Sequence, residues 1–272
     1  VGRAAAAFAL DAGRTVIATV RDRPERLADL AACGVMVRSG VDAADTQAVG
    51  ALIAEHRIGA AILAPILTVS AKAAPALAAA GVTRAVFFSS NNVAIDPEAP
   101  VYAALAAAEL EVREALPAAS VLRPTMIYGH AGDGNLARLM TAMRRWGIAP
   151  IPGSGTALQQ PVHVDDVGRA AVAALEEPAC VGATFALGGA VVLTLHDLYR
   201  ACARAVGRPV LMPRIPVAPL APLAPLVGLK PAQFARIDRD KTAQGPLPPA
   251  ALAARTPLHD GLSRLATMLA KL

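Results

Sequence analysis

The stretch RAVFFSSNNVAIDPEAPVYAALAAAELEVREALPAASVLRPTMIYG, Arg84–Gly129, decides the fold. Ala85–Phe88 is a short apolar run that stops at four hydrogen-bonding side chains, Ser89, Ser90, Asn91 and Asn92. A run bounded in this way predicts a strand buried on both faces, as parallel strands are. Pro100 then opens a helix, at a position where its missing N–H leaves no bond unmade. Tyr102, Leu105, Glu109 and Val112 follow at helical spacing. Val121–Arg123 is the next strand, cut by Pro124. Strand, polar loop, helix, strand is the unit of a parallel α/β sheet. In open sheets of that kind, ligands bind beyond the carboxyl ends of the strands.

The same alternation extends outward. Upstream lie predicted strands Thr15–Val20, Val35–Arg38 and Ala60–Leu63. Helices Arg3–Ala12, Pro24–Ala32 and Ala71–Ala80 separate them, and Asp45 is placed to cap one more. Downstream come helix Leu136–Trp146, a turn-rich PIPGSG link and a polar-edged strand near residues 158–164. Helix Val167–Leu175 follows, with Asp165 or Asp166 as its cap, then strand Thr184–Leu187 and helix Leu195–Val206. The tail holds a Pro-rich stretch, Pro213–Pro225, a helix around Gln233–Lys241 and a last helix from Leu258.

Composition sets limits on this reading. The 272 residues allow one large domain or a domain with a smaller lobe. The 55% hydrophobic content is largely Ala, and aromatic residues make up only 3%. No apolar run reaches the ~18 residues that argue for a membrane span. Val217–Leu229 is the best stretch, and prolines break it. The net charge of +5 comes from scattered Arg without a run or interleaved aromatics, which argues against nucleic acid as a partner. Cys33, Cys180 and Cys202 are odd in number and far apart, so they read as reduced thiols in a cytoplasmic protein. The five His are dispersed, and no metal site is expected.

A Ser-containing strand end, a Tyr opening the next helix and a strand ending Leu122-Arg123-Pro124, with Tyr128-Gly129 beyond, resemble the extended short-chain dehydrogenase/reductases. That family includes nucleotide-sugar epimerases and dehydratases. The resemblance implies a Rossmann-type doubly wound parallel sheet with a smaller, mostly helical C-terminal lobe. It divides the chain into a dinucleotide-binding domain, residues 1–128, and a substrate-side lobe, residues 129–272. Strands near 158–164 and 183–187 would return to the main sheet. Gly2 matches the third glycine of the family's GxxGxxG turn, so the first strand and first two glycines are absent, as in a fragment or a mis-called start. Alternatively, Gly2 is an ordinary residue.

By the same resemblance, Tyr102 is the catalytic acid/base and either Ser90 or Asn91 orients the substrate oxygen. Cofactor contacts fall to Gly2, Arg3, Arg21, Asp42, Ala64, Ser89, Tyr102 and Pro124. Arg21 ends a strand where an Arg would meet the 2′-phosphate of NADP, which favours NADP over NAD; a solvated charged turn is the other reading. Ala64-Pro65 stands where family members often carry Ala-Gly. In the family a Lys four residues after the Tyr lies on the same helix face and lowers the Tyr pKa. Here that position is Ala106, and no Lys lies between Lys72 and Lys230. The implied function is an NAD(P)-dependent oxidoreductase, epimerase or dehydratase acting on a sugar nucleotide or similar small hydroxyl or carbonyl substrate, with a homodimer as the implied assembly. The alternative is a non-catalytic NAD(P)H-binding sensor or assembly protein, similar in kind to the nucleotide-binding accessory subunit of respiratory complex I.

Overall fold

The structure is a computed structural model in which residues 1–216 and 239–272 are described. The described chain divides into two compact units. Of the described residues, the first comprises 1–124, 164–187 and 243–254, and the second 125–163, 188–216, 239–242 and 255–272. The chain thus returns to the first unit twice, through residues 164–187 and 243–254.

The first unit holds a four-stranded parallel sheet in the order β10-β5-β4-β3. Its strands are β3 (Ala60–Leu63), β4 (Arg84–Phe88), β5 (Ser120–Pro124) and β10 (Thr184–Leu187). Val86 and Phe87 of β4 and Leu122 of β5 are fully buried. That is the burial on both faces which the unbroken apolar run requires. Around Phe87 pack Leu67, Leu77, Leu105, Val112 and Val121, a core drawn from helices and sheet together.

Helix α7 (Pro100–Ala115) lies on this sheet and is tied to it by a buried ion pair. Arg123 of β5 donates to both carboxylate oxygens of Glu109, with its Nε 2.8 Å from Oε1. Their side chains are 22% and 7% exposed.

Strand β10 returns to the sheet beside β5, with Thr184 opposite Val121. The segment near 158–164 does not. It forms β8 (Leu158–Gln159) and β9 (Val162–His163), which pair with β11 (Leu193–Thr194) and β6 (Ile127–Tyr128) in the second unit. Pro161 sits between β8 and β9 without an N–H to give, so a single long strand is interrupted there.

Strand β1 (Ile17–Val20) pairs in parallel with β2 (Met36–Ser39), and these two form a separate sheet. Among the described residues no ladder joins β1 to β3, and no other strand lies paired between them. Each therefore keeps one open edge. Helix α1 (Gly2–Asp11) stays packed on α9 (Val164–Ala174), where a Cβ on Gly168 would come within 2.6 Å of Ala4 Cβ. Packing that close holds the helix in place and leaves β1 and β3 apart.

Local differences from the sequence reading have local causes. The helix expected over 24–32 is a 3₁₀ turn, Pro24–Leu27, followed by α2 (Ala28–Ala32). The 71–80 helix is a 3₁₀ turn, Ala71–Ala73, followed by α5 (Ala74–Ala79) with Pro75 in its first turn, and the short helix α4 (Leu67–Ser70) precedes them. Asp45 caps α3 (Thr46–His56), accepting from Gln47 N and Ala48 N at 3.0 Å each. Helix α9 starts at Val164, so Asp165 and Asp166 stand in its first turn, and Asp166 pairs with Arg169 at 3.2 Å. The helix expected around Gln233–Lys241 and most of the Pro-rich stretch lie outside the described residues.

The second unit is built on helices α8 (Leu136–Trp146), α10 (Leu195–Val206) and Leu258–Ala270. Met140, Met143, Leu198, Leu262 and Leu265 meet in its core. Cys202 also lies there, while Cys180 is buried in the first unit and Cys33 is exposed. Burial, with the Asp133 carboxylate nearby, pushes the Cys202 thiol up to about 12. Burial, with Cys202 beside it, pushes the Tyr199 hydroxyl up to about 12. Both shifts raise the folded pKa, so their stabilisation is complete below the ordinary values of 9.0 and 10.0 and is lost as pH rises towards about 12. Urea midpoints should fall over that window, and less steeply in Cys202→Ala. Identical pH profiles for the two proteins would show that this thiol does not titrate with folding.

Candidate functional site

The polar loop after β4 is held by backbone bonds that continue the sheet. Ser89 N donates to Leu122 O at 2.9 Å, and Asn91 N donates to Pro124 O at 3.1 Å. Ser90 Oγ accepts from Asn92 N at 3.2 Å, and Asn92 begins the short helix α6 (Asn92–Ile95). Asn91 is 2% exposed, and its Oδ1 accepts from Gln244 N at 2.8 Å. Its side chain therefore anchors a returning segment of the same unit. Ser90 is only partly buried.

Pro100 is the first residue of α7, so Tyr102 stands in its first turn. The Tyr102 side chain faces the loop, and the partner it meets there is Asn92, whose Nδ2 donates to the Tyr102 hydroxyl at 2.8 Å. The sequence reading gives Ser90 or Asn91 the task of orienting the substrate oxygen and does not single out Asn92. Asn92 could have been singled out only as one of four polar residues in a row, because its side-chain direction depends on the turn of α6. Ala106, four residues along α7, is partly buried and packs on the same core as Tyr102.

Of the other expected cofactor residues, Arg21, Asp42, Ala64 and Pro124 also stand at or just beyond the carboxyl ends of strands. Arg21 follows β1 and Asp42 follows β2, and their charged groups lie 3.7 Å apart. Asp42 Oδ1 also accepts from Ala44 N at 2.9 Å. Ala64 follows β3, and a Cβ on Gly2 would come 2.9 Å from Ala64 Cβ, so the start of α1 approaches this strand end as closely as only glycine permits. Pro124 ends β5. Arg3 is committed elsewhere, to the carbonyl of Arg26 and the carboxylate of Asp29. Its hydrogen bond holds the Asp29 carboxyl below the usual range.

Two features suit a dinucleotide at this edge. Gly2 is the first residue of α1 and lies beside the end of β3, the position at which phosphates are bound in such sheets. Ser89 Oγ is buried and has no hydrogen-bond partner among the described residues, so it has capacity for a polar ligand.

No family model matches the chain. Its fold is close to several solved structures. UDP-glucose 4-epimerase from Thermotoga maritima, bound to UDP-glucose, aligns over 99% of this chain and 95% of its own, with TM-score 0.70 and 19% identity. The Stenotrophomonas maltophila UDP-glucose 4-epimerase with bound NAD aligns over 99% and 96%, with TM-score 0.72 and 17% identity. Triphenylmethane reductase from Citrobacter sp., complexed with NADP(H), aligns over 92% and 90%, with TM-score 0.68 and 18% identity. The chain shares the fold of these epimerases and this reductase. Curated relatives add a sequence match. The mitochondrial NADH dehydrogenase [ubiquinone] 1 alpha subcomplex subunit 9 of Arabidopsis thaliana is 36% identical over 119 residues, 43% of this chain and 29% of that protein. The Mus musculus protein of the same name is 36% identical over 112 residues, 40% of this chain and 29% of that protein. The matched segment thus spans under a third of either relative. Among the described residues no helix is long and apolar enough to cross a membrane.

Proposed function

We propose that this chain binds a nicotinamide dinucleotide at the strand ends just described, and that it acts as an NAD(P)-dependent oxidoreductase or epimerase on a small hydroxyl or carbonyl substrate such as a sugar nucleotide. The observation that carries the reading is the Tyr102 hydroxyl fixed against the loop after β4, 2.8 Å from Asn92 Nδ2. Gly2, Ala64 and Ser89 would hold the cofactor's phosphates and ribose, and Arg21 with Asp42 its adenosine end. The bound dinucleotide would supply the hydride chemistry. Tyr102 would hold the proton exchanged with the substrate oxygen, and Ser90 would orient that oxygen. Asn92 occupies a lone pair of the phenol oxygen, so the phenol's own proton points away from it.

Binding of NADPH and NADH, followed by turnover with UDP-glucose, tests the reading. Saturable binding with slow turnover is expected, because the cation that the family places four residues after Tyr is replaced by Ala106. Failure to bind either nucleotide would overturn the reading.

A preference for NADP rests on Arg21. Arg21→Ala should weaken NADPH binding by about tenfold, ~1.5 kcal/mol, and leave NADH binding unchanged. The effect stands at the low end because the Arg21 side chain is 71% exposed and is shared with Asp42. Equal losses for the two nucleotides would remove this role.

A second reading, a non-catalytic NAD(P)H-binding subunit, is favoured by Ala106 and by the name of the curated relatives. Those relatives are named mitochondrial, whereas scattered free thiols suit a cytoplasmic setting.

A further inference from the structure

Scattered charges in the sequence converge in the second unit. Residues 134–164 and 198–216 contain no Asp or Glu. The fold brings these two segments side by side. Ile148 bridges to Leu211, and β7 (Ile151–Pro152) pairs in parallel with β12 (Arg214–Ile215). Arg208 closes the end of α8, its Nη1 donating to Arg144 O at 2.6 Å. A cation at that end also meets the negative pole of the helix.

At this junction large apolar side chains face outward. Trp146 is 65% exposed, Leu211 66% and Ile148 38%. The Arg145 guanidinium lies 5.8 Å from the Trp146 ring centroid. Arg144, Arg145 and Arg208 are all exposed around them. An exposed Trp with two aliphatic neighbours, ringed by arginines on two segments without Asp or Glu, is costly to leave in water. It is suited to one kind of surface. Trp favours the bilayer–water boundary, where its ring is buried and its N–H stays wet, and Arg is drawn to anionic headgroups.

We propose that this face docks peripherally on an anionic lipid bilayer, with Trp146, Ile148 and Leu211 entering the headgroup region and Arg144, Arg145 and Arg208 pairing with lipid phosphates. Nucleic acid is the less suited partner, because protruding aliphatic side chains have no base to stack on and no groove to fill.

Trp146 is the only tryptophan of the chain, so its emission reports on this face alone. The full chain is mixed with vesicles of phosphatidylcholine alone, or with about one-third phosphatidylglycerol, in roughly 0.1 M salt. The expected result is co-sedimentation and a blue shift of emission with the anionic vesicles only. Arg144→Ala with Arg145→Ala should lower partitioning by about 30-fold, from ~1 kcal/mol per Arg near the surface. Leu211→Ser should reduce the blue shift with circular dichroism unchanged. No blue shift with anionic vesicles overturns the proposal. So does tight binding of single-stranded DNA with no shift on vesicles, which would assign the arginines to nucleic acid.

Discussion

Glu109→Ala should lower the stability of the first unit by about 3–5 kcal/mol, the loss expected when one partner of a buried ion pair is removed. The Arg123 guanidinium would remain under α7 with both of its bonds to Glu109 gone. The double variant Glu109→Leu, Arg123→Met should recover most of the loss, since a buried pair exchanged for apolar side chains of similar volume is often neutral. Urea midpoints by circular dichroism read both outcomes. A loss under about 1 kcal/mol would mean that water reaches the pair and that it counts for no more than a surface bridge. The result bears on the site as well. The pair fixes α7 against β5 two turns beyond Tyr102, so loosening it should also weaken the contact between Tyr102 and Asn92.

This pair shows what the sequence could not carry. Glu109 and Arg123 stand on a helix and on the next strand, and nothing in local spacing joins them. Elements with a strong local signal were legible: the apolar run of β4, Pro100 at the start of α7, Asp45 as a cap. Helices rich in Ala were located, but their ends and breaks were not, because Ala marks neither a face nor a stop. The 71–80 segment divides into a 3₁₀ turn and a short helix for that reason. Strand pairing was legible where burial is complete, as in β4 and β10. It was not legible for the two-residue strands β8 and β9, whose partners are chosen by the packing of the second unit.

At the site, the placement of Tyr102 opposite the loop followed from element order alone. Which loop residue meets it did not, because a one-residue step in a tight turn exchanges Asn91, which turns to Gln244, for Asn92, which turns to Tyr102. The arginines near Trp146 are a further case. They are scattered in sequence and become a single patch only when two segments about 60 residues apart pair in parallel.

Ala106→Lys separates the two functional readings more sharply than any other change. Ala106 lies one turn beyond Tyr102 on the same face of α7, and side chains on a helix lean towards its N-terminus. A lysine there would lean towards the Tyr102 hydroxyl, its stem lying along the core that Ala106 already touches and its ammonium reaching out to the polar loop. An ammonium beside a phenol stabilises the phenolate, which a neutral Asn amide does far less. If the framework is catalytic, turnover at neutral pH should rise by about 10²–10⁴-fold, the usual worth of a positioned acid/base. Tyr102→Phe in the same background should cancel the gain. Circular dichroism and nucleotide titration confirm that each variant folds and binds. A folded, NADPH-binding Lys variant with no gain in turnover would rule out the enzyme reading and leave the binding subunit. The site would then use Tyr102 and Asn92 to hold a ligand in place, with no proton transferred.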